Sequence, residues 1–214
     1  MPDLDFQIEA AEAVAHAAVP TLAFRLRINA RGPDQISAVF LRCQIQIEPP
    51  RRAYNEREQK RLVDLFGAPA RWGHTLRPML WTHATVPAPG FRSTAVVDIP
   101  VACTFDFNAA ATKYFYGLED GEIPLCFLFS GTVFYDGGGS VQAAQISWEK
   151  EARYRLPVRV WREMMDMYYP NSACLFLHRD VFDRLCEYKM REGIATFEDA
   201  LERILPAPKE RAAA

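Results

Sequence analysis

The sequence is long enough to bury a substantial core, and its net charge is too small to attract nucleic acid to the molecule as a whole. Half of its 214 residues are hydrophobic and 12% are aromatic, which excludes a chain disordered by composition, and its formal net charge is only −2. It has no apolar run of about 18 residues, the length of a membrane-spanning helix, and its start, MPDLDFQIEA, lacks the pattern of a secretory signal. We therefore expect a cytoplasmic protein that neither spans a membrane nor binds nucleic acid.

Alternation of apolar and polar residues dominates the first three quarters of the chain. This period of two indicates half-buried antiparallel strands. In residues 36–48, for example, the side chains of Leu41, Cys43 and Ile45 are predicted to face inward. Arg42 and Gln44 are predicted to face outward. We predict seven strands, at residues 4–10, 21–29, 36–48, 80–88, 93–103, 124–135 and 141–156.

Residues 49–90 are the part of this region that does not resemble plain scaffold. The segment is a roughly forty-residue insertion where a sandwich would need a loop of about 4 to 6 residues. It contains a predicted helix with Asn55 as N-cap and Gly67 as its end. Within residues 51–81, seven arginines and lysines outnumber three carboxylates. Arginine and tryptophan are frequent interface anchors, so we predict a partner-binding surface made of Arg51, Arg52, Arg71, Trp72, Arg77 and Trp81.

Two other interpretations of this insertion remain open. In the first, Trp72 and Trp81 cap the open end of the sandwich and the arginines are only solvated, because an insertion must bury its own apolar residues. In the second, His74, His83 and Arg77 converge in a pocket that binds a small ligand or supports an enzyme activity. A deep closed pocket would favour the second, and a flat surface of arginines and aromatic residues would favour partner binding. For partner binding, at least one of the two tryptophans should be partly exposed.

Residues 107–156 are predicted as a helix followed by a hairpin. The helix, 107–118, has Asp106 as its predicted N-cap and ends at Gly117. The stretch DGGGS that follows the next apolar run raises the question of a phosphate-binding loop. Such a loop requires a helix directly after its glycines. Here the alternating sequence VQAAQISW follows, so the glycines are predicted to form the turn of a hairpin.

After Pro157 the apolar period becomes helical. Three helices are predicted, the second with Asp180 and the third with Thr196 at its start. Three short helices are too small for a core of their own. We therefore expect residues 158–214 to be a helical extension packed on a sandwich formed by residues 1–157. The side chains predicted to be buried by this packing are Trp161, Met164, Met165, Phe182 and Leu185.

No residue pattern in the chain points to a metal, a cofactor or a catalytic centre. The cysteines are Cys43, Cys103, Cys126, Cys174 and Cys186, and most stand among apolar neighbours. This is typical of reduced, buried thiols in a cytoplasmic protein. Neither a CxxC pair nor an HExxH motif is present, so we expect no metal, no cofactor and no catalytic residue.

Three stretches carry a resemblance to a known family. They are RWGHTLRPMLWTH, STAVVDIPVACTFDFNAAATKYFYGLEDGEIPLCFLFSGTVFY and RLPVRVWREMMDMYYPNSACLFLHRDVFDRL. Over nearly its whole length the chain resembles a bacterial family, common in actinobacteria, encoded near genes for high-affinity uptake nickel–iron hydrogenases. The resemblance implies an accessory or assembly role around such a hydrogenase, and it transfers no catalytic residue.

The sequence thus predicts a mainly β protein, an immunoglobulin-like antiparallel sandwich with a helical insertion and an α-helical C-terminal extension. The expected function is that of a non-enzymatic protein-binding or assembly factor, with a hydrogenase or its assembly machinery as the partner. The alternative is a small-ligand-binding protein or enzyme that uses a pocket between the insertion and the sandwich.

Overall fold

A computed structural model describes residues 2–32, 35–105 and 108–205. The strands within these residues are β1 (Asp3–Ala13), β2 (Thr21–Arg31), β3 (Ile36–Ile47), β4 (Met79–Phe91), β5 (Thr94–Ala102), β6 (Glu122–Asp136), β7 (Val141–Gln145) and β8 (Glu151–Pro157). The helices are α1 (Glu56–Phe66), α2 (Trp72–Thr75), α3 (Ala109–Gly117), α4 (Val158–Tyr168), α5 (Arg179–Arg191) and α6 (Phe197–Ile204). Among them, none is long and apolar enough to cross a lipid bilayer.

The strands form two antiparallel sheets. The smaller has the order β1-β2-β5, and the larger has the order β4-β3-β6-β7, with β8 also paired to β6. β2 is the neighbour of β5 in the smaller sheet, and β3 is the neighbour of β6 in the larger one. In immunoglobulin sandwiches the second and fifth strands (B and E) and the third and sixth (C and F) are neighbours in the same way. The predicted fold class is therefore confirmed.

The core lies between the inner faces of the two sheets, where period-two alternation places every second side chain. In β2, Phe24 and its inward neighbours are fully buried, and the Phe24 ring meets that of Phe127 on β6 at 5.1 Å. Phe6 of β1 stacks on Phe129, the next inward residue of β6, at 4.4 Å. Burying each large apolar side chain contributes about 1.5–3 kcal/mol, so these layers hold the sheets together.

The segment between β3 and β4 is shorter than predicted. β4 begins at Met79 and pairs with β3 over nearly its whole length, so the predicted insertion 49–90 is limited to residues 48–78. The strand was only weakly visible in the sequence because Pro87 and Pro89 interrupt its pattern. The α1 boundaries are confirmed, since Asn55 and Glu58 form a capping box and the helix ends at Gly67.

The three glycines turn a hairpin, as predicted. Gly138 and Gly139 have φ values of +81° and +91°, which a glycine adopts without strain. Asp136 accepts a hydrogen bond of 2.9 Å from the Gly139 N–H. The predicted strand 141–156 is, however, divided, because residues 146–150 leave the sheet between β7 and β8.

The chain divides into two compact units, and the boundary between them falls after Ser172, within the helical C-terminal region. α4 lies in the first unit, and the predicted burial of Trp161, Met164 and Met165 is confirmed. The predicted burial of Phe182 and Leu185 concerns the second unit, and it stays a prediction. The packing of the second unit on the sandwich stays a prediction.

Within the second unit, α5 and α6 meet through a contact of 5.7 Å between the rings of Phe182 and Phe197. α6 begins at Thr196 as predicted, and the Thr196 hydroxyl accepts a hydrogen bond from the Asp199 N–H. The N-cap of α5 is His178 instead of Asp180. α3 is capped by Asn108, and the predicted cap, Asp106, lies outside the described residues.

Candidate functional site

Both tryptophans of the predicted binding surface are part of the core. Trp72 is 7% exposed, and its Nε1–H donates a hydrogen bond of 2.8 Å to the carbonyl of Gly67. Trp81 is 4% exposed and meets Phe115 edge-to-face at 5.0 Å. The expectation that at least one of them is partly exposed is wrong. Their burial agrees with the alternative that they close the sandwich core.

Arg52 is also held inside the fold. Its side chain is 9% exposed and forms an ion pair of 2.8 Å with Glu58, whose own side chain is 3% exposed. The guanidinium also donates to the carbonyls of Asp120 and Glu122, each at 3.3 Å. The Glu58 carboxylate accepts a further hydrogen bond of 2.9 Å from the Glu119 N–H. Arg52 therefore links the 48–78 segment to the start of β6. Its predicted contact with a partner stays a prediction.

The other predicted site residues lie on the surface. Arg71, His74 and Arg77 are exposed in and beside α2. Arg51 is exposed and forms an ion pair of 2.9 Å with Glu48. His83 lies on a different element, on the outward side of β4 in register with Gln44. A partner surface through the exposed arginines and a ligand pocket with His74 and His83 stay predictions.

The buried thiols lack the acidity of a nucleophile. Burial raises the pKa of Cys43 and of Cys103 to about 12. Burial, aided by nearby carboxylates such as that of Glu151, raises the pKa of Cys126 to about 11. Thiolate chemistry at neutral pH requires the opposite shift. Cys174, by contrast, is exposed, so the expectation that the cysteines are buried fails there. Over the described ranges, no group of three or more His, Cys, Asp or Glu side chains could hold a metal.

The outward side of the larger sheet carries the clearest candidate site. A shallow depression of about 590 Å³, hereafter the outer groove, lies across β3, β4, β6 and β7. Its lining includes Phe40, Arg42, Thr85, Thr132, Gln145 and Trp148. Gly131 also lines the groove, where a Cβ atom would lie only 2.0 Å from the Phe40 carbonyl oxygen. A side chain therefore does not fit at this position without a shift of the backbone.

Trp148 is the most unusual residue of this groove. Its side chain is 89% exposed, whereas Trp72, Trp81 and Trp161 are buried. The cause is the interruption between β7 and β8. Here the Lys150 N–H donates a hydrogen bond to the Ser147 carbonyl and closes a turn. Trp148 lies in this turn, and its indole is exposed to solvent.

Phe40 and Arg42 also line the groove. They occupy successive outward-facing positions of β3, two residues apart. Phe40 is 56% exposed and meets Phe134 of β6 edge-to-face at 5.9 Å. Arg42 is exposed and forms no ion pair with any residue that the structure describes. Exposed aromatic residues beside an unpaired arginine match the composition of interface cores.

The sequence contained a signal for half of this site. The alternation that placed Arg42 outward also places Phe40 outward, and a large aromatic residue on the polar side of a strand is unusual. For Trp148 the signal was misleading. Uninterrupted alternation through residues 141–156 put it on the side of Ile146, which packs against the core.

Fold and site together define an immunoglobulin-like sandwich domain with a helical C-terminal unit and an exposed aromatic groove on its larger sheet. A family model described as "Family of unknown function (DUF6084)" matches residues 1–213, so the chain belongs to that family. A search among curated proteins finds no match.

Several solved structures are similar to parts of this chain. One is the CARDB domain of the PF1109 protein from Pyrococcus furiosus in complex with di-metal ions. It is 12% identical over 73% of this chain and 92% of that chain, with a TM-score of 0.28. Another is a putative late embryogenesis abundant (LEA) protein, 10% identical over 73% and 72% of the two chains, with a TM-score of 0.33. A beta-glucosidase from Kluyveromyces marxianus is 7% identical over 72% of this chain and 15% of its own, with a TM-score of 0.27. Similarity at this level assigns no ligand or activity to the present chain.

Proposed function

We propose that the protein is a non-enzymatic binding or assembly factor that docks a protein partner on the outer groove. The observation that carries this proposal is the 89% exposure of Trp148 beside the exposed Phe40. Burial raises the pKa of Cys43 and of Cys103, so these two thiols are not activated as nucleophiles.

The energetics of the groove favour a macromolecular partner. An aromatic side chain buries about 150–250 Å² when it is covered, and each Å² of apolar surface removed from water contributes about 25 cal/mol. Covering Trp148 and Phe40 would therefore stabilise a complex by several kcal/mol before ordering costs. A shallow, open depression does not enclose a small molecule as a ligand pocket does.

Arg42 suggests the charge of the partner. It lines the groove with the aromatic side chains, in register with Thr85 and Ser130, and has no ion-pair partner among the described residues. A carboxylate of the partner, placed next to the apolar contact, would pair with it. Such a pair is partly shielded from water, so it contributes to specificity as well as to the rate of association.

The resemblance to proteins encoded beside nickel–iron hydrogenase genes supports a specific candidate partner. We propose that the groove binds a subunit of such a hydrogenase or one of its assembly proteins. The exposed Arg51, Arg71 and Arg77 of the 48–78 segment are proposed as additional, weaker contacts with the same partner.

Affinity purification from the native host, followed by mass spectrometry, tests the proposal. The wild-type protein should recover a defined partner, and Trp148→Ala and Phe40→Ala should each lose it. The matched control is Val96→Ala, because Val96 is an exposed apolar residue of β5, in the other sheet. All variants must keep the wild-type melting temperature. Recovery of the same partners by the wild type and by Trp148→Ala would show that the groove is not the docking site.

A further inference from the structure

Each sheet of the sandwich ends in edge strands, and natural edge strands are normally protected against pairing with another chain by charges or prolines. Most of the edges here follow this rule. β8 is rich in charge, and Pro87 and Pro89 stand on β4. Charged or proline residues also lie on the other two edge strands, at Asp5, Glu9 and Glu12 of β1 and at Asp98 and Pro100 of β5.

β7 is the exception. Its sequence, VQAAQ, contains neither a charge nor a proline, and four of its five residues are exposed. It is the last strand in the order of the larger sheet, and among the strands that the structure describes it pairs only with β6. It therefore lacks the charges and prolines that usually protect an edge strand from pairing with another chain.

The hydrogen-bond pattern shows which backbone groups of β7 face away from β6. The Ile146 N–H bonds to the Gly131 carbonyl at one end of the ladder, and the Gly137 N–H bonds to the Ser140 carbonyl at the other. In an antiparallel pair, every second residue exchanges bonds with the neighbouring strand. The even-numbered residues of β7 consequently bond to β6, and the N–H and C=O groups of Val141, Ala143 and Gln145 point to the open edge.

We propose that this edge pairs with the same edge of a second copy of the chain, antiparallel and about a two-fold axis at Ala143. In this register Ala143 faces Ala143 of the second copy, and Val141 of each strand faces Gln145 of the other. All the outward backbone groups of both strands then find partners. Closed two-fold pairing of identical surfaces is the commonest form of oligomer.

Several features favour a second copy over an unrelated strand. Two uncharged strands meet without the like-charge repulsion that would oppose pairing through β1 or β8. The residue on the axis is alanine, so identical side chains do not collide where the copies are closest. Val141, which is 69% exposed in the single chain, would be covered by the other strand.

Dimerisation through β7 would be a second property of the protein, independent of partner binding at the outer groove. A two-fold axis perpendicular to the joined sheet places the two outer grooves on the same face of one continuous sheet. The dimer would thus present two docking sites side by side, and a partner with two copies of its own motif would gain from the second attachment.

Cross-linking of the full-length chain tests the register directly, in a Cys174→Ser and Cys186→Ser background that removes the accessible native thiols. Residues that face each other in a hydrogen-bonded pair have Cα atoms about 5.5 Å apart, within the range of a disulfide. Ala143→Cys should therefore form a covalent dimer under mild oxidation. Val141→Cys is the matched control, because the same register separates the two positions 141 by about 13 Å along the strands.

Light scattering and sedimentation of the protein without introduced cysteines supply the second test. The wild type should be a dimer whose mass falls on dilution, and Ala143→Lys should weaken the dimer by about tenfold or more by placing like charges on the axis. The proposal is overturned if the wild type is monomeric up to high micromolar concentration. It is equally overturned if Val141→Cys cross-links as well as Ala143→Cys does.

Discussion

The 48–78 segment with the start of β4, and the outer groove, contain the same kinds of residue and use them in opposite ways. In the first region, Trp72, Trp81 and Arg52 are enclosed by the fold. In the second, Trp148, Phe40 and Arg42 face water. Tryptophan and arginine are enriched at interfaces, yet they are equally useful inside a small sandwich. Composition therefore indicates where large side chains are concentrated, and only burial separates a core residue from a binding residue.

The largest loss in the free energy of unfolding is expected when a buried tryptophan is replaced. Trp81→Ala should lower the free energy of unfolding by about 3–5 kcal/mol, because it leaves a cavity beside Phe24 and Phe115. Trp148→Ala should change it by less than about 0.5 kcal/mol, as expected for an exposed residue. Denaturant unfolding followed by far-UV circular dichroism measures both. Equal losses in the two variants would contradict the assignment of one tryptophan to the core and one to the surface.

Adjacent arginines provide the next contrast. Arg52→Ala should destabilise the fold by about 3 kcal/mol, because it leaves the Glu58 carboxylate buried without its ion-pair partner. Arg51→Ala removes an exposed pair with Glu48 and should cost less than about 1 kcal/mol. The double variant Arg52→Met with Glu58→Leu, which removes both charges, should recover part of the loss. If Arg51→Ala proves the more damaging single change, the described role of Arg52 is wrong.

A smaller effect is expected from the difference between the buried thiols and the exposed thiol Cys174. Burial raises the pKa of Cys43 and Cys103 to about 12, so at pH 8 both remain protonated as well as inaccessible. The exposed Cys174 should therefore react first with a thiol reagent, and Cys43 and Cys103 only after denaturant is added. Mass spectrometry of the labelled peptides gives the order. Rapid labelling of Cys43 in the folded protein would show that the core is more open than described.

Much of the sandwich could be predicted from period two alone. The alternation in β2 and β3 is strong because one face of each strand is buried and the other solvated. The length of β4 could not be predicted in this way, since Pro87 and Pro89 weaken its pattern while backbone pairing with β3 still holds it in the sheet. Pairing with a neighbour leaves little trace in local sequence.

The candidate site was harder to predict, for two physical reasons. Whether Trp81 or Trp148 is buried depends on which distant elements cover it, such as α3 for Trp81. The turn that exposes Trp148 interrupts a continuous alternating pattern without a proline or glycine to mark it. The N-cap of α1, in contrast, depends on residues that are neighbours in sequence, and Asn55 was predicted correctly.

We propose that Trp148, and not the tryptophans of the predicted insertion, contacts the partner. The most direct measurement is the dissociation constant between the purified protein and the partner recovered with it, for the wild type, Trp148→Ala and Val96→Ala. We expect Trp148→Ala to raise this constant by about 30-fold or more, which corresponds to about 2 kcal/mol. Val96→Ala should leave the constant unchanged, and neither variant should change the melting temperature. A Trp148→Ala protein that binds with the wild-type constant would contradict this proposal.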